Sequence, residues 1–374
     1  YKITDPSSDA ALFSQLSYNF TLVIYNSDNW GVPRASTEQV YNLILEDLTK
    51  ANHMLPVRSA MKAEDLGRAT KGAAQAMLLK VNLYMASPYW NKQLSQAPAT
   101  YFAAAKQWGD SIIASSEYSL FSNYEDNFTL AGENGQESVF EIQYMEVPWG
   151  DYGDGHDPSK FGYTAGSFTQ ILMRSRSSLI GGGWGFNHPT QNLYDEFEAS
   201  DIRRDVAILN PADSLIETPS VEIYLGSRYL NNKYGMYRDH PDQGGGFGKW
   251  SLHATRGPLN NRQIRYADVL LMYAEALLNG SPVGTSGLTA DDAVNMVHHR
   301  AQLPLLSGVT MRQIWDERRA ELALEEDRFF DLIRTGQAAT VLGPKGFTSG
   351  RNELLPIPAN QRQLNPNLAQ NPGY

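Results

Sequence analysis

Apolar residues recur at helical spacing near both ends of the chain and lose that spacing in the middle. Val40, Leu43, Ile44 and Leu48 fall on one face of a predicted helix that begins after Ser36, a natural N-cap, because residues three and four apart share one side of an α-helix. Further helices are predicted over 71–86, 101–115, 262–279, 290–300, 310–328 and 328–334. The sequence therefore predicts a mainly α fold.

Two of these helices have small residues where the helices of a hairpin would cross. Gly72 lies near the start of the helix over 71–86, and Ala86 and Ala105 fall at the expected crossing. The pair is similar to a tetratricopeptide-type hairpin, in which neighbouring hairpins stack. The formal repeat pattern is matched poorly, so a generic helical bundle stays open.

The chain changes character at about residue 137. Residues 139–144 alternate like a short strand, and glycine-rich loops follow at 150–155, 181–183 and 244–246. Aromatic residues lie in or beside these loops, and loops on a rigid scaffold commonly carry binding function. The loops match no phosphate-binding pattern in a strand–helix context.

No stretch of the chain has the composition of a linker between domains. From Leu342 onwards the sequence is rich in Pro, Asn and Gln, which predicts an irregular tail. We predict a single domain over 1–374, in which a helical scaffold at about 1–136 and 251–374 supports a loop-rich, ligand-binding lobe with a few short strands at about 137–250.

Charge and residue content exclude several classes of function. The chain has 41 acidic and 31 basic residues, a net charge of -10, and no basic cluster, so we expect no nucleic-acid partner. The absence of Cys excludes disulfides and thiolate chemistry. His298 and His299 are adjacent and would point about 100° apart on a helix, so they cannot chelate one metal ion.

The loop aromatics are the candidate ligand contacts. Sugar rings present flat apolar faces edged by hydroxyls, so a protein that binds them needs exposed Trp or Tyr rings beside polar side chains. The predicted glycan contacts are Trp149, Tyr152, Asp154, Trp184, Asn187, Tyr237 and Trp250. The alternative is that most of these aromatics pack beneath the loops as small satellite cores.

Three acidic residues near the first glycine-rich loop have a structural interpretation. Asp151, Asp154 and Asp157 are three apart, which is not the alternating pattern of a calcium-binding loop, and we expect a solvated acidic loop. We expect no metal and no other cofactor.

The charged helix near residue 317 has the composition of a buried Arg–carboxylate network that fixes helix packing. At helical spacing, Arg318 can pair with Glu321 or Glu325, and Arg328 can pair with Asp331. We predict a structural role for this cluster and no catalytic role.

Several segments, taken in order, resemble one family. They are residues 32–41, 67–74, 181–190, 201–205, 265–276, 317–325, 328–336, 355–358 and 365–374. Their order and their sequences resemble the SusD/RagB family, the surface glycan-binding lipoproteins of Bacteroidetes nutrient-uptake systems.

The resemblance implies an α-helical fold of four tetratricopeptide-like helix pairs that support an irregular lobe. It implies capture of oligosaccharide or polysaccharide without catalysis, and delivery to a SusC-like TonB-dependent transporter. It also implies a position on the outer surface of the outer membrane, held by an N-terminal lipid anchor. The family's lipidated Cys and first helices have no counterpart in this sequence, so we expect that an N-terminal portion is missing.

Three other functions fit parts of the sequence. The RagB branch of the family implies peptide uptake, which Tyr-rich loops would suit equally well. An α-helical glycoside hydrolase would need two carboxylates about 5–10 Å apart across a cleft, and no pair stands out. A plain tetratricopeptide scaffold for protein partners would leave the middle lobe unexplained.

Overall fold

The protein is mainly α-helical, as predicted, with four short strands in the residues that the structure describes. This computed structural model describes residues 31–144, 167, 169–173, 184–210, 228–234, 258–280 and 284–374. The helices are α1 Thr37–Met54, α2 Lys71–Ala86, α3 Pro98–Ala114, α4 Thr169–Met173, α5 Gln191–Tyr194, α6 Arg203–Ala207, α7 Tyr266–Asn279, α8 Ala290–Arg300, α9 Met311–Glu321, α10 Arg328–Arg334, α11 Ala338–Leu342 and α12 Ala359–Leu364. The strands are β1 Ser138–Ile142, β2 Ile208–Leu209, β3 Leu230–Asn231 and β4 Asn261–Arg265.

Contacts between residues divide the chain into two units. The larger unit is Tyr41–Gln337, and the smaller one combines Tyr1–Val40 with Ala338–Tyr374. Among the described helices, none is both long enough and apolar enough to cross a lipid bilayer.

The core of the larger unit is built around α7. This helix is buried on every side, and α2, α3, α8 and α9 pack against it. Apolar residues lie on all its sides, as expected of a helix in a protein interior, and its buried Asp268 and Glu275 pair with Arg318 and Arg334. Each fully buried Leu or Val side chain contributes roughly 1.5–3 kcal/mol to this core.

Helices α2 and α3 form the predicted hairpin. A Cβ atom at Gly109 on α3 would lie 2.3 Å from the ring of Tyr273, and one at Gly72 on α2 would lie 2.3 Å from the Tyr118 hydroxyl. Only glycine permits these approaches. Helix α3 begins three residues before the prediction, because Pro98 occupies its first turn, where the missing N–H of proline leaves no partner unsatisfied.

Helix α1 is capped as predicted but packs on a slightly different face. Ser36 Oγ accepts a hydrogen bond from the Gln39 N–H at 3.2 Å, and the Gln39 side chain accepts one from the Ser36 N–H at 2.9 Å. Ile44 and Leu48 pack on the cluster around α2 and α3, together with their neighbours on the same face. Val40 is exposed, contrary to the predicted helix face.

The predicted helix over 262–279 is wrong in its first four residues. Arg262 and Ile264 are buried and Gln263 is exposed, so this stretch alternates as strand β4. Strand β4 pairs antiparallel with β1, with Phe140 opposite Ile264 and Glu141 opposite Arg262. No local signal separates it from α7, and pairing with β1 overrides its helical tendency.

The predicted helix over 310–328 is interrupted. Helix α9 ends at Glu321, and residues 322–327 form a turn before α10. Leu324 and Glu326 in this turn have φ values of +68° and +72°. Neither is glycine, so nothing in the sequence marks the break.

The smaller unit contains more regular structure than the predicted irregular tail. Helix α12 lies within it, and amide side chains satisfy backbone groups of the extended segments. Asn365 Nδ2 donates to the Val32 carbonyl at 2.9 Å, and the Gln370 amide bonds both backbone groups of Ile357 at 2.8 and 3.0 Å. The Asn and Gln content of the tail therefore has a structural use.

Candidate ligand-binding site

Two of the predicted glycan contacts lie in a short aromatic loop, residues 184–187. The Trp184 side chain is 38% exposed and that of Phe186 is 53% exposed. Their rings meet edge to face, with centroids 6.3 Å apart and planes at 75°. The other five predicted contacts, Trp149, Tyr152, Asp154, Tyr237 and Trp250, lie outside the described residues.

The aromatic loop is fixed at two points. The Phe186 N–H donates to the carbonyl of Leu172 on α4 at 2.8 Å. Asn187 Nδ2 donates to the carbonyl of Leu324 at 3.2 Å. Gly185 and Asn187 both have positive φ, +72° and +52°, which glycine and asparagine tolerate best. Phe186 is absent from the predicted contacts, although its position between these two residues was a signal for exposure.

A stack of two tyrosines joins α5 to the segment that precedes β3. The rings of Tyr194 on α5 and Tyr229 are parallel, with centroids 4.5 Å apart. The guanidinium of Arg204 lies 5.2 Å from the Tyr194 ring, and that of Arg228 lies 5.7 Å from the Tyr229 ring. Tyr229 is buried, and Tyr194 packs against the same small apolar cluster, so the stack contributes to packing.

Charged side chains attach the lobe segments to α9 and the turn after it. Arg203 contacts Asp201 at 2.8 Å, Glu317 at 2.5 Å and Glu321 at 3.2 Å. Lys233 contacts Glu325 at 2.7 Å. All six side chains are almost completely buried, so these contacts are formed away from water, where unpaired charges would be very costly.

Glu321 and Glu325 also pair with arginine side chains of β4 and α8. Arg265 contacts Glu137 at 2.7 Å, Glu321 at 2.8 Å and Glu325 at 2.8 Å. Arg300 contacts Glu137 at 3.0 Å and Glu321 at 2.6 Å. We call the following residues the ion network: Glu137, Asp201, Arg203, Lys233, Arg265, Arg300, Glu317, Glu321 and Glu325. It links segments that are far apart in sequence into one buried unit.

The ion network favours the ionised forms of Glu321 and Glu325. Burial by itself raises the pKa of Glu321, but the surrounding guanidiniums outweigh it and hold that pKa well below its usual range. The pKa of Glu325 is lowered in the same way, by Arg265 and Lys233 against burial. Burial lowers the pKa of Lys233 to about 8, against the opposing effect of Glu325.

Known proteins resemble this chain over most of its length. A family model described as the SusD family matches residues 228–374. A SusD-like protein of Bacteroides ovatus is 26% identical over 309 residues, which cover 82% of this chain and 52% of that protein. SusD-like protein P2 of Formosa agariphila is 26% identical over 392 aligned positions, which cover 97% of this chain and 70% of that protein.

Solved structures with a fold similar to this chain include a SusD-like protein. A laminarin binding SusD-like protein superposes with a TM-score of 0.73 at 29% identity, over 90% of this chain and 69% of the other. The family-model match and these SusD-like relatives together support membership of the SusD/RagB family. A second member, surface glycan-binding protein A from Bacteroides thetaiotaomicron in complex with laminarihexaose, has a TM-score of 0.70 at 26% identity, over 89% of this chain and 70% of the other. The chain spans about half the length of the Bacteroides ovatus member.

The charged cluster around α9 is buried, as predicted, but two of its predicted pairs are wrong. Arg318 pairs with Asp268 at 2.6 Å and Asp331 at 3.2 Å, and not with Glu321 or Glu325. Asp331 pairs in addition with Arg334 at 2.6 Å and not with Arg328. Helical spacing identifies neighbours on one helix, whereas a buried guanidinium takes its partners from whichever elements surround it.

Glu317, Glu321 and Glu325 are poorly suited to glycoside hydrolysis. A general acid needs a raised pKa, whereas those of Glu317, Glu321 and Glu325 are lowered. Over the described part of the chain, no group of three His, Cys, Asp or Glu residues is arranged to hold a metal ion.

Proposed function

We propose that this protein captures oligosaccharide or polysaccharide at the bacterial cell surface without cleaving it, and delivers it to a SusC-like TonB-dependent outer-membrane transporter. One observation carries the proposal. An exposed Trp–Phe pair lies on an anchored loop, in a chain 29% identical to a laminarin binding SusD-like protein of known structure. A lipid anchor at the outer membrane belongs to the same proposal.

The exposed rings suit a sugar ligand for a physical reason. Trp184 and Phe186 offer apolar area beside a polar loop, and neither ring has many rotamers to lose on binding. An aromatic anchor at the centre of a binding surface commonly contributes about 2 kcal/mol or more. We propose that Trp149, Tyr152, Asp154, Tyr237 and Trp250 extend this surface, within one domain on a tetratricopeptide-like scaffold.

Affinity electrophoresis against a panel of soluble polysaccharides tests the proposal. We expect one polysaccharide to retard the wild type, and Trp184→Ala to weaken that retardation at least about tenfold. Phe186→Ala removes the second ring of the pair. Phe330→Ala is its matched control, because both side chains are 53% exposed but only Phe186 lies in the aromatic loop. The control should bind as the wild type does.

The polysaccharide recovered from the gel distinguishes capture from hydrolysis. We expect its chain length to be unchanged. Release of reducing ends would point to a glycoside hydrolase. Failure of every glycan to retard the protein, together with binding of peptides, would favour the RagB-like peptide alternative.

A further inference from the structure

The turn between α9 and α10, residues 322–327, has a backbone that its own sequence does not favour. Leu324 and Glu326 both have left-handed φ, at +68° and +72°. A side chain beyond glycine in this region is disfavoured, especially a branched one such as Leu. The surrounding structure must therefore hold the turn in this shape.

Buried charges supply that constraint. The Glu325 carboxylate accepts from Arg265 Nε and Nη2, both at 2.8 Å, and from Lys233 Nζ at 2.7 Å. Two residues later, the Asp327 carboxylate accepts from Lys80 Nζ at 3.1 Å. These two anchors bracket Glu326 and follow directly after Leu324, so they fix the direction of the Leu324 carbonyl.

That carbonyl accepts the hydrogen bond from Asn187. The contact joins two residues that are 137 positions apart and that both have left-handed backbones. Asparagine tolerates this conformation better than most other residues with a Cβ. Asn187 can therefore adopt the left-handed φ and also donate the hydrogen bond. Asn187 directly follows Phe186 and lies three residues from Trp184, so its orientation sets the direction in which the aromatic loop leaves the turn.

We propose that Asn187 is a positioning residue, whose hydrogen bond to the Leu324 carbonyl holds the Trp184–Phe186 pair in its ligand-binding orientation. This inference rests on the proposed glycan capture. It differs from the sequence-based prediction of a direct polar contact, because the Asn187 amide nitrogen is already directed at the protein backbone. A loop that is ordered before the ligand arrives loses less conformational freedom on binding.

Two substitutions remove the hydrogen bond and keep the backbone conformation accessible. Asn187→Asp retains the size but cannot donate, and Asn187→Gly retains the left-handed φ without a side chain. We expect both variants to bind the polysaccharide about 3- to 10-fold more weakly in calorimetric titration, the effect of one hydrogen bond. Their thermal midpoints should stay close to that of the wild type, since the ion network is intact.

A double-mutant cycle separates positioning from direct contact. In a Trp184→Ala/Phe186→Ala background, we expect Asn187→Asp to have little further effect, because both rings that it positions are gone. An equal loss in both backgrounds would show that Asn187 contacts the sugar itself and would overturn the inference. Unchanged affinity in Asn187→Asp, with a wild type that binds glycan, would overturn it while leaving glycan capture intact. A wild type that binds no glycan would overturn both.

Discussion

Glu321 lies at the centre of the ion network, and neutralising it tests how much the network contributes to stability. Its carboxylate lies 2.8 Å from Arg265, 2.6 Å from Arg300 and 3.2 Å from Arg203. The side chain has no exposed surface. Glu321→Gln keeps the shape of the side chain but removes the charge that these three guanidiniums face.

The expected loss follows from what remains around each cation. Removing one partner of a buried ion pair costs about 3–5 kcal/mol, because the other charge stays buried without its counter-ion. In this variant Glu137 still contacts Arg265 and Arg300, and Glu317 still contacts Arg203. Each cation therefore keeps a carboxylate, and we expect the lower value, about 3 kcal/mol, against a total stability of roughly 5–15 kcal/mol.

Urea unfolding followed by tryptophan fluorescence measures this loss. Asp316→Asn is the control, because Asp316 lies on the same helix and pairs with Arg312 at 2.8 Å, but in a solvent-exposed position. We expect that control to lose at most about 0.5 kcal/mol. A difference of less than about 1 kcal/mol between the two variants would refute the reasoning, since burial would then add nothing to the ion pairs.

Three further predictions use the same unfolding measurement. Burial favours protonated carboxyl groups, but the facing cations outweigh it and hold the pKa values of Glu317, Glu321 and Glu325 below the usual 4.5. The folded state therefore binds fewer protons, and stability present above pH 4.5 should be lost as the pH falls below it; a urea midpoint that stays constant from pH 7 to 3 would contradict this. Glu326→Gly should stabilise the protein by about 0.5–1 kcal/mol, because this exposed residue has left-handed φ; a lower urea midpoint than that of the wild type would oppose the assignment of strain. Gly109→Ala should destabilise by about 1–3 kcal/mol through its clash with Tyr273, whereas Gly343→Ala, with open space at the Cβ position, should not; equal urea midpoints for the two variants would argue against tight packing at α3.

Helix boundaries with local signals could be predicted from the sequence. Helix α2 spans the predicted residues because the Thr70 side chain accepts from the Ala73 N–H at its start and Pro88 follows its end. Helix α8 spans the predicted residues because Thr289 and Asp292 form a capping box. In both cases the determining contacts lie within three residues of the boundary, which sequence patterns capture.

Strand β4 and the break after α9 could not be predicted in this way. The strand depends on β1, which is more than a hundred residues earlier in the chain, and the break depends on how Glu325 is held by Arg265 and Lys233. Neither site has a glycine or proline to mark it. Their determinants are long-range contacts, and these exist only after the chain has folded.

The candidate site likewise has some features that the sequence predicts and others that only tertiary contacts decide. The sequence by itself determined that the chain is mainly helical, that Trp184, next to a run of glycines, is exposed, and that a charged cluster is buried, because periodicity, turn residues and composition act locally. Only the tertiary structure decided the partners: Arg318 takes Asp268, and the Asn187 amide takes the carbonyl of Leu324. A buried charge or amide bonds whichever group folding brings within about 3 Å of it, and that group is seldom near in sequence.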